Sequence, residues 1–410
     1  MGRMRRRSVL TGLGAGAALI GARISARAAS PMDLSPLLPE GTRAEAIMDA
    51  LPGKQPLIKL AFRPPNYETP IDAFAEAITP NDRFFVRYHL AGIPDIADLE
   101  KAWSVKIGGD AANKPLEVSL DELQRQFPVV EVEAVNQCSG CRRGLFSPHV
   151  PGVQWGYGAM GSAVWRGVRL KDVLARAGVR AGAVEVAFGG ADGPVMEGTP
   201  DFAKSLPLEK AMDESTIIAF AMNGAKLPHL NGLPIRLIVP GWTGTYWMKH
   251  LNEINILSKP FDGFWMQKSY RIPKGMFPVD LPFTTQAEEK TVPITEMVVN
   301  SVIGNVPDGS RQPAAGFTIQ GVAWDRGHGI KQVEVSTDGG ANWKPASLRE
   351  DHGKYAFRAW RFETGKLQPG AATVMARATS NAGETQAAQL KPNPAGYQNN
   401  VPQKIAITLA

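Results

Sequence analysis

Hydrophobic and polar positions change their period twice along the chain, near residue 80 and again near residue 285. Over 29–80 prolines interrupt the apolar runs, and helical spacing recurs only over 43–51 and 70–77. That pattern predicts an extended arm laid around a core. From residue 81 the signal becomes mixed. In Asn81-Asp82-Arg83-Phe84-Phe85-Val86-Arg87-Tyr88-His89-Leu90, a strand would put Phe85, Arg87 and His89 on one face and Val86, Tyr88 and Leu90 on the other. Further strands are predicted over 103–107 and 129–135, and a buried one over 235–239. Ser119-Leu120-Asp121-Glu122 reads as a capping box that opens a short helix through Gln126. Leu170, Val173, Leu174 and Ala177 repeat at helical spacing, with Gly178 as the stop.

Beyond a proline-rich crossover at Pro273, Pro278 and Pro282 the period falls to two. Stretches 294–303, 316–323, 330–336, 354–362 and 373–379 alternate, separated by turns such as Asp338-Gly339-Gly340-Ala341-Asn342. About seven short strands in such a segment predict an immunoglobulin-like sandwich. It contains no cysteine and so no inter-sheet disulfide. The expected fold is α+β, with a mixed domain over 81–285 and an all-β domain over 286–410.

Charge changes the picture at the N-terminus. The formal net charge of the 410 residues is +6. Residues 1–28 hold six arginines and no Asp or Glu; taking those six from the 45 basic residues leaves 39, equal to the 39 acidic ones. The same stretch has a basic start, an apolar Gly- and Ala-rich run over 9–20 and the small-x-small site Ala26-Arg27-Ala28. It reads as a secretory leader over 1–28, with a retained amphipathic anchor as the alternative. Arg6-Arg7-Ser8-Val9-Leu10 fits the twin-arginine pattern. That route carries folded proteins, so a periplasmic protein with a cofactor inserted before export is expected. No other segment is long and apolar enough to span a membrane. The neutral balance of the remainder gives no basis for nucleic-acid binding.

The chain's only two cysteines stand in Asn136-Gln137-Cys138-Ser139-Gly140-Cys141-Arg142-Arg143-Gly144, just past a predicted strand end. A Cys-x-x-Cys pair suits a redox disulfide, half of a zinc site or haem attachment. Haem attachment fails because Arg142 stands where His is required. Structural zinc would need distant histidines, since no second pair exists. A dithiol activated by the neighbouring arginines and a pair of inert buried thiols both stay open. Two loops add candidate chemistry. Glycines, hydroxyls and a lysine in Pro240-Gly241-Trp242-Thr243-Gly244-Thr245-Tyr246-Trp247-Met248-Lys249-His250 would suit phosphate, or form an aromatic core loop. Gly189-Gly190-Ala191-Asp192-Gly193 lacks the Lys-Ser/Thr of a phosphate loop and reads as a turn.

Taken in order, these segments resemble the sulfite oxidase family of molybdenum enzymes over nearly everything after Asn81. Asn-Gln-Cys-Ser-Gly-Cys-Arg-Arg is similar to its molybdenum-ligand loop, and Phe-Val-Arg-Tyr-His to its Phe-Val-Arg-Asn-His segment. Gln154-Trp155, with the stretch from Gly161 to Gly167, resembles the loop that follows. Asn231-Gly232-Leu233-Pro234-Ile235-Arg236 and Met248-Lys249 resemble the pterin-binding stretch. Val299-Asn300-Ser301-Val302-Ile303 and Gly321-Val322-Ala323-Trp324 resemble the C-terminal domain that often forms a homodimer.

The resemblance implies a molybdenum–molybdopterin cofactor with Cys138 as the protein's metal ligand. It implies a substrate pocket formed by Arg87, Arg143, Trp155 and Tyr270, and pterin contacts from His89, Asn231, Arg236 and Lys249. The implied reaction is oxidation of sulfite to sulfate by oxygen-atom transfer at a molybdenum–oxo centre. Without the cytochrome b5 signature His-Pro-Gly-Gly, electrons are expected to pass to a separate c-type cytochrome. Two departures stand out. Where the family often brings a further arginine to the pocket, the chain offers Asn399, and Cys141 stands where Asn is common. Cys141 is expected to be a packing thiol. Two other functions remain: a same-fold molybdoenzyme acting on another oxygen-transfer substrate such as a sulfoxide, or a secreted binding protein without metal.

Overall fold

The computed structural model describes residues 47–96 and 100–410. The leader over 1–28 lies outside the described residues, as do 29–46 of the arm.

The arm is more than a wrap. Met48–Asp49, Leu57–Ala61, Asn66–Glu68 and Val86–Arg87 form a four-stranded sheet in that order, every pair antiparallel. Helix was expected over 43–51, but Met48 and Asp49 pair with Ile58 and Leu57. Local helical spacing there yields to the ladder offered by the neighbouring strand. A 3₁₀ helix at Ile71–Ala75 answers the helical spacing over 70–77. The alternation over 85–90 survives although the regular strand is only Val86–Arg87. Val86, Tyr88 and Leu90 are buried in the core, whereas Arg87 and His89 are half-buried on the opposite side.

The mixed region contains two further sheets. One runs Ala203–Pro207, Glu185–Gly190, Leu251–Leu257, Ser104–Gly108, Leu116–Ser119, with the single parallel pairing between Leu251–Leu257 and Ser104–Gly108. The other is antiparallel and runs Ala225–Lys226, Ile217–Met222, Met160–Arg169, Val129–Gln137, with Arg236–Ile238 also pairing to Ile217–Met222. The capping box forms as read: the Ser119 Oγ accepts from the Glu122 N–H and the Glu122 carboxylate accepts from the Ser119 N–H. The Leu170–Ala177 helix buries Leu170, Val173, Leu174 and Ala177, and ends at Gly178 with φ of 72°. One apolar core joins both sheets and these helices.

After Thr291 the chain is all β. Asn300–Ile303, Thr318–Trp324, Arg358–Glu363 and Ser347–Leu348 make one sheet. Arg311–Gln312, Lys404–Leu409, Gly370–Ser380, Ile330–Ser336 and Lys344–Pro345 make the second. Ile319, Ala323 and Trp360 from the first meet Val333, Val374, Ala376 and Ile405 from the second in a separate core. The last strand, Lys404–Leu409, alternates exposed and buried residues strictly and closes this domain. The all-β domain packs through Val302, Val322, Trp324 and Phe357 on Phe74 of the arm and on Val135 and Met160 of the mixed domain. Among the described residues no helix is long and apolar enough to cross a membrane.

Candidate active site

The strand Val129–Gln137 delivers Cys138 to the rim of the central cleft. The Cys138 N–H donates to Ala159 O (2.9 Å), and the Cys141 N–H returns to Cys138 O (2.9 Å), so the loop turns tightly. Arg142 at the turn adopts φ of 67° and is only 1% exposed. Its guanidinium donates to Ser301 O (2.8 Å) and Val401 O (3.0 Å), both in the all-β domain, and lies over the Tyr157 ring. Trp324 adds a bond from Nε1 to Gln137 Oε1 (2.6 Å). The second domain therefore braces the cysteine loop from behind.

The two thiols differ. Both are free. Cys138 lines the cleft, while Cys141 points back and donates to Tyr157 O at 3.5 Å. Burial pushes the Cys141 thiol up to about 12, so it stays protonated and inert. Among the described residues no cluster of His, Cys, Asp and Glu suits an all-protein metal site, so the zinc reading finds no further ligands.

Seven of the nine residues expected at the site meet in one cleft, whose empty space, open mouth included, is about 630 Å³. Arg87, His89, Cys138, Asn231, Arg236, Lys249 and Tyr270 all line it. Arg143 and Trp155 are not on its wall. The Trp155 side chain is fully buried in the core beneath the loop. The Arg143 guanidinium is spent on backbone, donating to Ala395 O (2.7 Å) and Val153 O (3.1 Å). It is clamped so closely that a Cβ on Gly140 would stand 2.3 Å from its Nη2. A larger residue at Gly140 would have to push that guanidinium off its carbonyl partners. Asn399 is also absent from the cleft; its Nδ2 donates to Arg142 O (3.2 Å).

Positive charge dominates the wall. Lys249 Nζ donates to Arg87 O (2.5 Å), and burial holds its ammonium well below the usual lysine range. Arg236 donates to Asn231 O (2.8 Å) and Trp247 O (3.3 Å) while its guanidinium packs against the rings of Trp165 and Trp247. Burial lowers even that guanidinium to about 9. Asn231 accepts from Lys54 Nζ (2.5 Å) and donates to Phe85 O (3.0 Å). Asp192 is the one acidic side chain among the described lining residues. Burial raises its carboxyl, and the Lys249 ammonium works against that rise.

His89 Nε2 and the Tyr270 hydroxyl are hydrogen-bonded at the cleft. Burial, then the charges of Arg87, Lys249, Lys204 and Arg143, keep the His89 imidazole well below its ordinary range and therefore neutral. Burial likewise raises the Tyr270 phenol, which stays protonated. Its backbone N–H donates to the Tyr397 hydroxyl (3.2 Å), and the two rings stack with centroids 5.8 Å apart.

Several buried polar atoms on this wall have no partner in the protein: Asn136 Oδ1, Thr245 Oγ1, Arg236 Nε and Arg87 Nε. Buried polar groups are rarely left unpaired, so such atoms mark where a polar ligand belongs. A Cβ on Gly244 would come within 2.3 Å of Asn136 Oδ1, so the wall is also shaped by close approach. One thiol, several cations and these unpaired atoms fit a pterin that carries a phosphate and a soft, thiolate-bound metal.

Sequence reasoning missed part of the wall. Thr245 lay within a stretch considered for phosphate. Asp192 sat in the glycine-rich segment read as a turn, where Gly189 and Gly190 in fact finish a strand. Asn136 stood in the cysteine motif but was given no role, and Lys54, which backs the wall through Asn231, carried no signal because only tertiary contacts bring the arm's lysine there.

The fold and the site define a protein whose cleft suits an anionic organic cofactor, with one free thiol, Cys138, on its wall. Comparisons agree. The oxidoreductase molybdopterin binding domain model matches residues 90–265, and the Mo-co oxidoreductase dimerisation domain model matches 291–410. The mitochondrial sulfite oxidase of Rattus norvegicus is 35% identical over 321 residues, which is 76% of this chain and 57% of that protein. Sulfite oxidase of Arabidopsis thaliana is 32% identical over 328 residues, covering 77% of this chain and 81% of that protein. The crystal structure of the sulfane dehydrogenase SoxCD from Paracoccus pantotrophus superposes with a TM-score of 0.70 at 26% identity, covering 83% of this chain and 84% of that one. The chain belongs to the sulfite oxidase family of molybdenum enzymes. It spans just under three fifths of the length of the mammalian relatives it matches.

Proposed function

We propose that the protein is a molybdopterin-dependent sulfite dehydrogenase that works in the periplasm, passes its electrons to a c-type cytochrome and pairs as a homodimer through the all-β domain. One observation carries this reading: Cys138 faces a cleft whose charged lining residues are three cations, Arg87, Arg236 and Lys249, against one carboxylate, Asp192. Cys138, as a thiolate, would hold the metal, and Arg236, Lys249, Asn231 and Thr245 would hold the pterin and its phosphate. When bound, that group supplies two-electron oxygen-atom transfer.

The chain's own residues bind and orient the substrate. A small oxyanion such as sulfite is bound by guanidinium groups through charge-assisted hydrogen bonds. Arg87, with an unpaired Nε on the cleft wall, supports this reading. A neutral sulfoxide would draw far less from such a wall. Tyr270 keeps its proton and can donate it to a substrate oxygen, while neutral His89 holds the hydroxyl in place. Partial exclusion of water lets each of these charges act at greater strength. The twin-arginine leader and the family's dimerisation domain support export and pairing, respectively.

The test is sulfite-dependent reduction of cytochrome c by molybdenum-loaded protein, with dimethyl sulfoxide reduction as the opposing assay. Sulfite turnover with no sulfoxide turnover is expected. Sulfoxide reduction without sulfite oxidation would move the assignment to another substrate. Exported protein with less than about a tenth of an equivalent of molybdenum would remove the enzymatic reading.

A further inference from the structure

Two residues at the start of one edge strand address both members of the His89–Tyr270 pair. Phe202 immediately precedes the strand Ala203–Pro207, and Lys204 follows it by two positions, so their side chains leave on the same side. Phe202 stacks on the His89 imidazole with centroids 3.8 Å apart and planes 12° from parallel. The Lys204 ammonium stands 5.4 Å from the centroid of the Tyr270 ring and 4.7 Å from that of Tyr246.

Lys204 is 1% exposed, and its Nζ donates to Trp265 O at 2.8 Å. Among the described residues no carboxylate acts on it, the charged neighbour that does being Arg271. An ammonium carries three donors, so the two aromatic faces must satisfy much of the rest. Burying a cation without a counter-ion is costly, and a methionine would fill the same space without that cost. The charge therefore points to a role beyond packing.

We propose that Lys204 is a positioning residue of the anion cleft: it holds the Tyr270 ring by its face and adds a buried positive charge behind the His89–Tyr270 pair. The inference rests on the anion-binding reading above and extends it to a residue outside the cleft wall. Burial, and then Arg271, bring the Lys204 ammonium down to about 7, so near neutrality it exchanges its proton readily. An anion in the cleft favours the charged form, and anion binding is then coupled to proton uptake. The other groups facing it do not titrate there. Burial raises Tyr246 and Tyr270, His89 is held neutral, and Arg271, though lowered by burial, stays a cation. Lys54, beneath Asn231, is also held near 7, so a variant must assign the proton to Lys204.

The experiment is calorimetric titration of sulfate into molybdenum-loaded enzyme near neutral pH, in two buffers of different ionisation enthalpy, for wild type, Lys204→Met and Lys204→Gln. The wild type is expected to take up protons as sulfate binds. Either variant should bind sulfate about tenfold more weakly, the scale of one charge at a partly screened site, and take up less proton. A variant with unchanged affinity and unchanged uptake overturns the proposal while leaving the proposed function intact. A lower thermal midpoint with unchanged affinity marks Lys204 as packing and overturns it equally. Wild-type enzyme that neither binds sulfate nor oxidises sulfite overturns the anion reading, and this inference with it.

Discussion

The imidazole of His89 and the hydroxyl of Tyr270, 181 positions apart, share one hydrogen bond at the cleft. His89 comes from the end of the arm's sheet and Tyr270 from the turn before the strand Arg271–Pro273, where its φ is 59°. Both are kept uncharged, the histidine by burial and surrounding cations, the tyrosine by burial. At rest the pair places no net charge beside the thiol and keeps the phenolic proton available as a hydrogen-bond donor.

Removing the hydroxyl should therefore slow turnover more than it weakens binding. Tyr270→Phe is expected to lower kcat by about a hundredfold, within the range for a positioned proton donor, with little change in KM. Steady-state kinetics with sulfite separate the two constants. A large KM effect with kcat intact would make Tyr270 a binding residue.

The two arginines expected in the pocket should part company. Arg87 lines the cleft, so Arg87→Gln should raise KM for sulfite by about tenfold or more. Arg143 is bound to Ala395 and Val153 carbonyls, so Arg143→Gln should instead cost about 1–3 kcal/mol of stability by leaving buried acceptors unpaired. Thermal denaturation set beside KM values checks the split.

Cys138 and Cys141 should respond differently to loss of sulfur. Cys138→Ser is expected to fold normally and retain little molybdenum, since a hydroxyl is a poor partner for a soft metal centre. Cys141→Ala removes a protonated, buried thiol and should cost about 1 kcal/mol at most while metal content stays intact. Metal analysis of purified protein gives both answers.

Stability should carry a pH signature from the arm. Glu68 is buried, accepts from the Gly156 N–H (2.7 Å) and is raised by burial from 4.5 to about 8. Its folded pKa lies above its unfolded one. Its favourable contribution is thus full below about pH 4.5 and is lost as pH rises through about 8. Glu68→Gln keeps an acceptor without the charge. It should stabilise the protein by at least about 1 kcal/mol above pH 8 and flatten the decline between those limits. Denaturant melts across that range test it.

Much of the fold was legible because its elements are locally consistent. The capping box at Ser119, the apolar stripe from Leu170 to Ala177 and the period-two runs after residue 291 each form from neighbours in the chain. The arm misled because Met48 and Asp49 follow their strand partner rather than their own helical spacing. For the site, side-chain type and motif order brought out the thiol and most of the cations. Residue type alone does not say which way a side chain points: Trp155 lies in the core, Arg143 donates to carbonyls and Asn399 to the Arg142 carbonyl.

The sequence supplied two cysteines among arginines and lysines, and the order of its motifs, by resemblance, singled out Cys138, because residue type decides what a group can bind. Only the tertiary structure decided which of those groups share a cleft. Lys54, Asn136, Asp192 and Lys204 become part of it or its backing through contacts between segments far apart in sequence. Burial supplied the last step. It holds His89 neutral and Cys141 protonated, and it comes from packing that no local pattern encodes.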